Sequence, residues 1–240
     1  MKRLPPYPVV LLLFFLSGAT GLLYQVVWVR LFSFLFGATV LAVSTVLAAF
    51  MGGLALGSWW AGRRADRWER PLRAYGWMEI GLAAYAGFVP LLLKGATPLY
   101  APFYDSLLGS PGALTAIRLG LAVLILLPPT FFMGATLPTL TRQATAGGGS
   151  RKRVADLYAL NTFGAVAGTC LATFWLLPAV GVTQTLLIGV GTNLVLGVVA
   201  VAWGGFRSPA ADDTADAGRF TLPFPRPLLY ATAAALGFSA

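Results

Sequence analysis

The feature that most constrains this chain is a succession of apolar runs separated by short segments that hold nearly all of its charge. A run of about 18 or more apolar residues is long enough to cross a bilayer as a helix. Such runs lie near 8–29, 38–62, 74–94, 113–141, 154–178 and 184–205, and a seventh begins near 227. With 58% hydrophobic and 10% charged residues, the composition is that of a polytopic membrane protein, since soluble domains carry about a quarter charged residues. The predicted class is therefore an all-α transmembrane helix bundle. Its six complete spans fill 1–205, a cytoplasmic linker rich in Pro, Ala and Asp occupies 206–226, and 227–240 starts a seventh span.

Charge placement orients the bundle. Of the 17 basic residues, all but Arg30, Lys94 and Arg118 precede the first span or fall after the second, fourth or sixth. The positive-inside rule then puts the N-terminus and those loops in the cytoplasm, with the chain in a bacterial-type inner membrane. The formal charge of +9 does not form a soluble basic face, so nucleic acid is not an expected partner. A cleaved signal peptide is disfavoured because apolar character continues past Ala19 to Val29 and makes a full span. Pro128-Pro129 removes backbone donors inside the fourth run, which predicts a kink or break there.

Residue types close off most chemistry. There is no histidine, and Cys170 is the single cysteine. Imidazole bases, His-paired nucleophiles, intrachain disulfides and thiolate metal sites are all excluded. The glycine-rich stretch "AGGGSRKR", 146–153, lacks the Gly-Lys-Ser/Thr ending of a phosphate loop and reads as a plain loop. No catalytic, cofactor-binding or metal-ligating residue is expected in these residues.

What remains is a set of polar groups inside the spans. Glu79 is costly in lipid, by roughly 2.5–3.5 kcal/mol at the bilayer centre on insertion scales, so it should face protein or water. A structural ion pair with a loop arginine or a proton or cation site would each satisfy it. Arg118, near the outer end of the fourth span, has a stem long enough to reach the interface. Tyr24-Gln25 and the pair Tyr158 and Asn161 either bond across helices or line a common polar cleft. Arg30 and Trp28 read as the outer boundary of the first span. Gly53 with Gly57 and Gly164 with Gly168 form small-xxx-small patterns suited to close helix packing. A short echo of Ser17-Gly18-Ala19 occurs at Phe238-Ser239-Ala240, as a second repeat would begin.

Two resemblances follow from particular motifs. The loop "LGSWWAGRRADRWERP" resembles the Gly-x-x-x-Asp-Arg-type loop of the major facilitator superfamily, where acid and arginines latch neighbouring helices; Asp66, Arg67 and Arg70 match, and Glu69 replaces the usual glycine. The stretches "FFLSGATGLLYQVVWVRLFSFLFGATVLAVSTVLAAFMGGLALGSWWAGRRADR", "PPTFFMGATLPTLTR" and "RVADLYALNTFGAVAGTCLATFWLLPAVG" together resemble the membrane region of fused major-facilitator/spermidine-synthase-like proteins. That resemblance implies a major-facilitator-like half followed by a further repeat and a soluble domain that transfers an aminopropyl group from decarboxylated S-adenosylmethionine. The catalytic domain has no counterpart in these residues, so the implied role is anchoring or serving a cytoplasmic aminopropyltransferase. The alternative is a transporter half for a small cationic or polyamine-like solute. Implied partners are the lipid bilayer, the missing C-terminal repeat and transferase-like domain, and a possible second copy.

Overall fold

The structure, a computed structural model, describes residues 7–107, 109–145 and 151–204. The expected linker at 206–226, the seventh span at 227–240 with its echo, and the 146–150 loop lie outside the described residues. Six long helices follow one another: α1 (Tyr7–Phe36), α2 (Val40–Gly62), α3 (Pro71–Ser106), α4 (Pro111–Thr145), α5 (Arg151–Leu171) and α6 (Leu177–Trp203). A 3-10 turn, Ala65–Arg67, precedes α3, and a π-helical segment, Ala172–Leu176, leads from α5 toward α6. No strand occurs among the described residues.

Several boundaries differ from the sequence reading. The first helix does not stop at Arg30 but continues through an apolar turn to Phe36, and Gly37, at φ 82°, ends it. Pro128 and Pro129 lie inside α4 without breaking it. Next to them, the Thr130 hydroxyl donates to the Leu126 carbonyl at 2.6 Å, one turn back along the same helix. Between α5 and α6 helical geometry runs almost unbroken from Lys152 to Trp203, 52 residues. As one straight rod this would be about 78 Å long, more than twice the thickness of a bilayer core. Gly181, at φ 78° and ψ 179°, breaks it in a conformation open essentially to glycine alone. Among the described residues, five helical stretches, the merged one included, are long and apolar enough to cross a membrane.

Contacts along the helices fix their directions. Leu13 meets Tyr75 and Ser17 meets Glu79, so α1 and α3 run the same way. Gly164 packs on Phe15 and Gly168 on Ala19, so α5 runs with them. Tyr100 meets Arg118 and Met78 meets Thr139, so α4 opposes α3, and Gly87 near Val190 with Gly76 on Gly197 makes α6 do the same. Gly53 on Thr130 and Asp66 beside Arg142 place α2 parallel to α4.

The main pairings are α1 with α5, α2 with α4 and α3 with α6, with further packing of α3 on α4 and α1 on α6. Exchanging α1 with α4, α2 with α5 and α3 with α6 leaves this scheme unchanged. The exchange also holds residue by residue. A Cβ on Gly164 would collide with the Phe15 carbonyl, and one on Gly57 with the Phe131 carbonyl; Gly18 closes on Asn161 as Gly134 closes on Leu54. The pattern Phe-x-x-Gly-Ala-Thr occurs at 15–20 in α1 and again at 131–136 in α4. Because α1 and α4 run in opposite directions, the two three-helix halves form an inverted repeat, a class of architecture whose sites lie near the repeat interface.

Candidate functional site

Helix α3 carries Glu79, fully buried, one turn after Gly76. Gly76 and Gly197 bring α3 and α6 into near backbone contact: a Cβ on either would lie 2.7 Å from the other's carbonyl oxygen. That approach aims the Glu79 carboxyl at two other helices. The Ser17 hydroxyl of α1 donates to Oε1 at 2.5 Å, and the Asn193 amide of α6 donates to Oε2 at 2.7 Å. Tyr75, one turn before Glu79 and also fully buried, donates to the Leu13 carbonyl at 3.3 Å and holds the lower part of the same junction. Bonds of this kind answer the cost of burying a carboxyl group.

The sequence expectation of an ion pair between Glu79 and a loop arginine is therefore corrected. The carboxyl faces sideways, into α1 and α6, and neutral donors meet it. Around it two polar atoms have no hydrogen-bond partner among the described residues: the Asn193 Oδ1 and the Tyr24 hydroxyl. Tyr24 is seated against Gly189, where a Cβ would come within 2.9 Å of its ring. Its ring stacks on Trp28 at 5.2 Å with the planes 11° apart, and Trp28 in turn packs against Phe50. Trp28 is fully buried, which overturns its reading as an interfacial aromatic; an apolar indole face finds more contact inside α1's packed seam than at the helix end.

The other predicted residues are dispersed. Gln25 lines a separate apolar crevice with Val43, Leu47 and Thr169, and its Oε1 is buried without a partner among the described residues. Tyr158 is 63% exposed, whereas Asn161, three residues on, turns inward against Gly18. Tyr24, Gln25, Tyr158 and Asn161 thus do not share a cleft, because a three-residue step on a helix still leaves side chains about 60° apart. Arg118 does not reach outward; it is 7% exposed and its Nε donates to the Tyr100 hydroxyl at 2.9 Å. In the 65–70 loop Asp66 carries the contact with a neighbouring helix, its carboxylate lying 3.9 Å from Arg142 Nε at the end of α4. Arg67 closes the 3-10 turn and Arg70 is the residue before α3.

A cavity of about 260 Å³ opens between α1, α2, α4 and α5. Its polar lining is Ser17, Ser58, Thr136 and Asn161, and its walls include Phe14, Phe50 and Leu54. Ser17 belongs to both places, reaching Glu79 on one side and the cavity on the other. Sequence reasoning singled out Glu79 but missed Ser17, Tyr75 and Asn193. The signal was present, since Asn193 is an amide inside an apolar run, and such groups seek partners. Among the described residues no group of three or more His, Cys, Asp or Glu is placed to hold a metal.

No family model matches the chain, and no solved structure does. Two curated relatives are similar to most of it. The chain is 30% identical over 201 residues, 80% of its length, to polyamine aminopropyltransferase 1 of Streptomyces coelicolor. It is 33% identical over 198 residues, 77% of its length, to polyamine aminopropyltransferase 2 of the same organism. The chain spans about a third of the length of these relatives, 33% in each case. A spermidine-synthase-like relationship is thus supported through a region made of long apolar helices.

Proposed function

We propose that this chain is the integral membrane domain of a spermidine-synthase-like fusion protein, with six spans and a cytoplasmic N-terminus, and that it anchors or serves a cytoplasmic aminopropyltransferase-like domain outside these residues. The observation that carries the reading is that similarity to two aminopropyltransferases falls on a helix bundle and covers only a third of their length. A membrane region shared with such enzymes is most simply the part that holds them at the bilayer. The alternating helix directions and the break at Gly181 support six crossings rather than five. Decarboxylated S-adenosylmethionine would be the co-substrate of the attached domain, not a ligand of this bundle.

The test uses the full-length gene product. Aminopropyl transfer to 1,4-diaminobutane is measured in membranes and in cytosol, with and without the whole membrane region, residues 7–204 together with any spans of a following repeat. Anchoring predicts activity that survives the deletion but moves to the soluble fraction. Serving predicts that cells lose product while lysates keep their rate. No transfer by the full-length protein under any of these conditions refutes the reading. Reporter fusions at Arg67 and Gly109 check orientation, the first expected to be cytoplasmic and the second external.

A second reading, a major-facilitator-like transporter half, draws on the inverted three-plus-three pairing and on a carboxyl group buried at the meeting of three helices. Uptake of a diamine by proteoliposomes, without any transferase activity, would favour it.

A further inference from the structure

We infer that a groove at the end of the bundle opposite the 65–70 loop, between α1, α3 and the start of α6, is a site for an anionic phospholipid of the outer leaflet, with Lys94 on its phosphate and the root of an acyl chain against the apolar wall. The inference rests on the membrane-domain reading and its orientation, and not on an attached transferase or on transport.

Two adjoining crevices make the groove. One, of about 410 Å³, is walled by Leu31, Phe34, Leu35 and Leu93 and carries Lys94 and Thr97. The other, of about 340 Å³, shares Phe34, Leu35 and Thr97 with the first and continues past Tyr100. Helix geometry places them at headgroup depth. Lys94 lies 23 residues after Pro71, about 35 Å along the axis, where the hydrocarbon core is about 30 Å thick. Contacts between α1 and α3 keep an offset of 62 residues, Leu13 with Tyr75 and Ser17 with Glu79, which brings Lys94 level with the turn around Phe32. Between Pro90 and Thr97 the first crevice runs about 10 Å, the length of a glycerol backbone and the first methylenes of one chain.

An apolar wall alone would accept any lipid, and the polar groups are what select. Lys94 is exposed and offers a cation, while among the described residues no Asp or Glu lines either crevice. The Tyr100 hydroxyl accepts from Arg118 Nε at 2.9 Å, which leaves its own proton to donate. Thr97 gives its proton to the Leu93 carbonyl at 2.9 Å, so toward the groove its oxygen accepts. A cation and a donor suit phosphate oxygens, and an acceptor suits a headgroup hydroxyl, which together describe phosphatidylglycerol. A choline headgroup would bring a second cation beside Lys94 and no hydrogen-bond donor. Topology does not account for Lys94, because the positive-inside rule gathers every basic residue except Arg30, Lys94 and Arg118 at the opposite end.

The experiment is native mass spectrometry of the full-length protein released from detergent, titrated with phosphatidylglycerol or with phosphatidylcholine. Preferential retention of phosphatidylglycerol is expected. Lys94→Gln should weaken that retention about fivefold, the worth of one basic group near anionic lipid. Arg30→Gln removes an equally exposed charge at nearly the same depth of α1, lines neither crevice, and should leave retention unchanged. Thr97→Phe fills the junction of the two crevices from an exposed position. It should abolish the preference while size-exclusion elution and helical circular dichroism stay as in the wild type.

The proposal is overturned if phosphatidylcholine is retained as well as phosphatidylglycerol, if Arg30→Gln weakens retention as much as Lys94→Gln, or if folded Thr97→Phe keeps the wild-type affinity. Each of these results leaves the membrane-domain reading standing. Release of the protein from membranes by alkaline carbonate would refute that reading itself, and this site with it.

Discussion

Replacing Gly57 by alanine, next to a matched replacement of Gly52, isolates what holds the two halves of the bundle together. The two glycines lie five residues apart in α2 and share the same helical backbone cost. Glycine in a helix interior is less favourable than alanine by roughly 0.5–1 kcal/mol, and both substitutions recover that amount. Their surroundings differ. A Cβ on Gly52 meets nothing within 4 Å. A Cβ on Gly57 collides with the carbonyl oxygen of Phe131, and with its carbon at 2.8 Å. Backbone atoms cannot rotate away as a side-chain tip can, so α2 and α4 must separate along their whole contact. Overpacking of this kind costs about 1–3 kcal/mol. Subtracting the helix gain leaves Gly57→Ala destabilised by up to roughly 2.5 kcal/mol. Gly52→Ala should be stabilised by about 0.5–1 kcal/mol. The difference between the two variants, about 1–3 kcal/mol, is the packing term alone. Unfolding in mixed micelles titrated with SDS, followed by tryptophan fluorescence, measures both in one series. Equal midpoints for the two variants, or a Gly57→Ala protein at least as stable as wild type, would sink the argument. The inverted repeat adds a second comparison: Gly164→Ala, facing the Phe15 carbonyl, should behave like Gly57→Ala.

Other positions give sharp outcomes. Asn193→Ala removes the donor to Oε2 of the buried Glu79 carboxyl and should cost about 1–3 kcal/mol in the same titration, the range for leaving a buried polar atom unsatisfied; no change would mean that the bond at 2.7 Å contributes nothing. Gly181→Ala places a side chain at φ 78° and should destabilise by about 1–3 kcal/mol, whereas Gly191→Ala, with open space around it, should not. Trp28→Phe should be tolerated far better than Trp28→Ala, for which a loss of about 3–5 kcal/mol is expected, because the buried indole Nε1 makes no hydrogen bond among the described residues. Asp66→Asn should shift the midpoint by less than about 1 kcal/mol, since its carboxylate is 78% exposed; a larger effect would show the loop contact to be a structural latch.

The all-helical class and the positions of long apolar helices were legible because each depends on local composition. Hydropathy and the placement of arginines are properties of short windows, and lipid selects on them directly. Gly57 and Gly164 could be recognised as contact points for the same reason: small residues in a span mark where another backbone comes close. The repeat of Phe-x-x-Gly-Ala-Thr at 15–20 and 131–136 was equally available, but its meaning needs the helices to be seen running in opposite directions.

Partnership was not legible. A soluble helix shows its buried face as an apolar stripe, but a membrane helix is apolar on every side, so periodicity does not say which face turns inward. Trp28, Tyr24 and Arg118 consequently looked like interface or cleft residues and are buried against other helices, Trp28 on Phe50, Tyr24 on Gly189 and Arg118 on Tyr100. Glu79 could be seen to need a partner, because lipid makes an unsatisfied carboxyl expensive. That the partners are Ser17, 62 residues before it, and Asn193, 114 residues after it, was decided only when α1, α3 and α6 packed together.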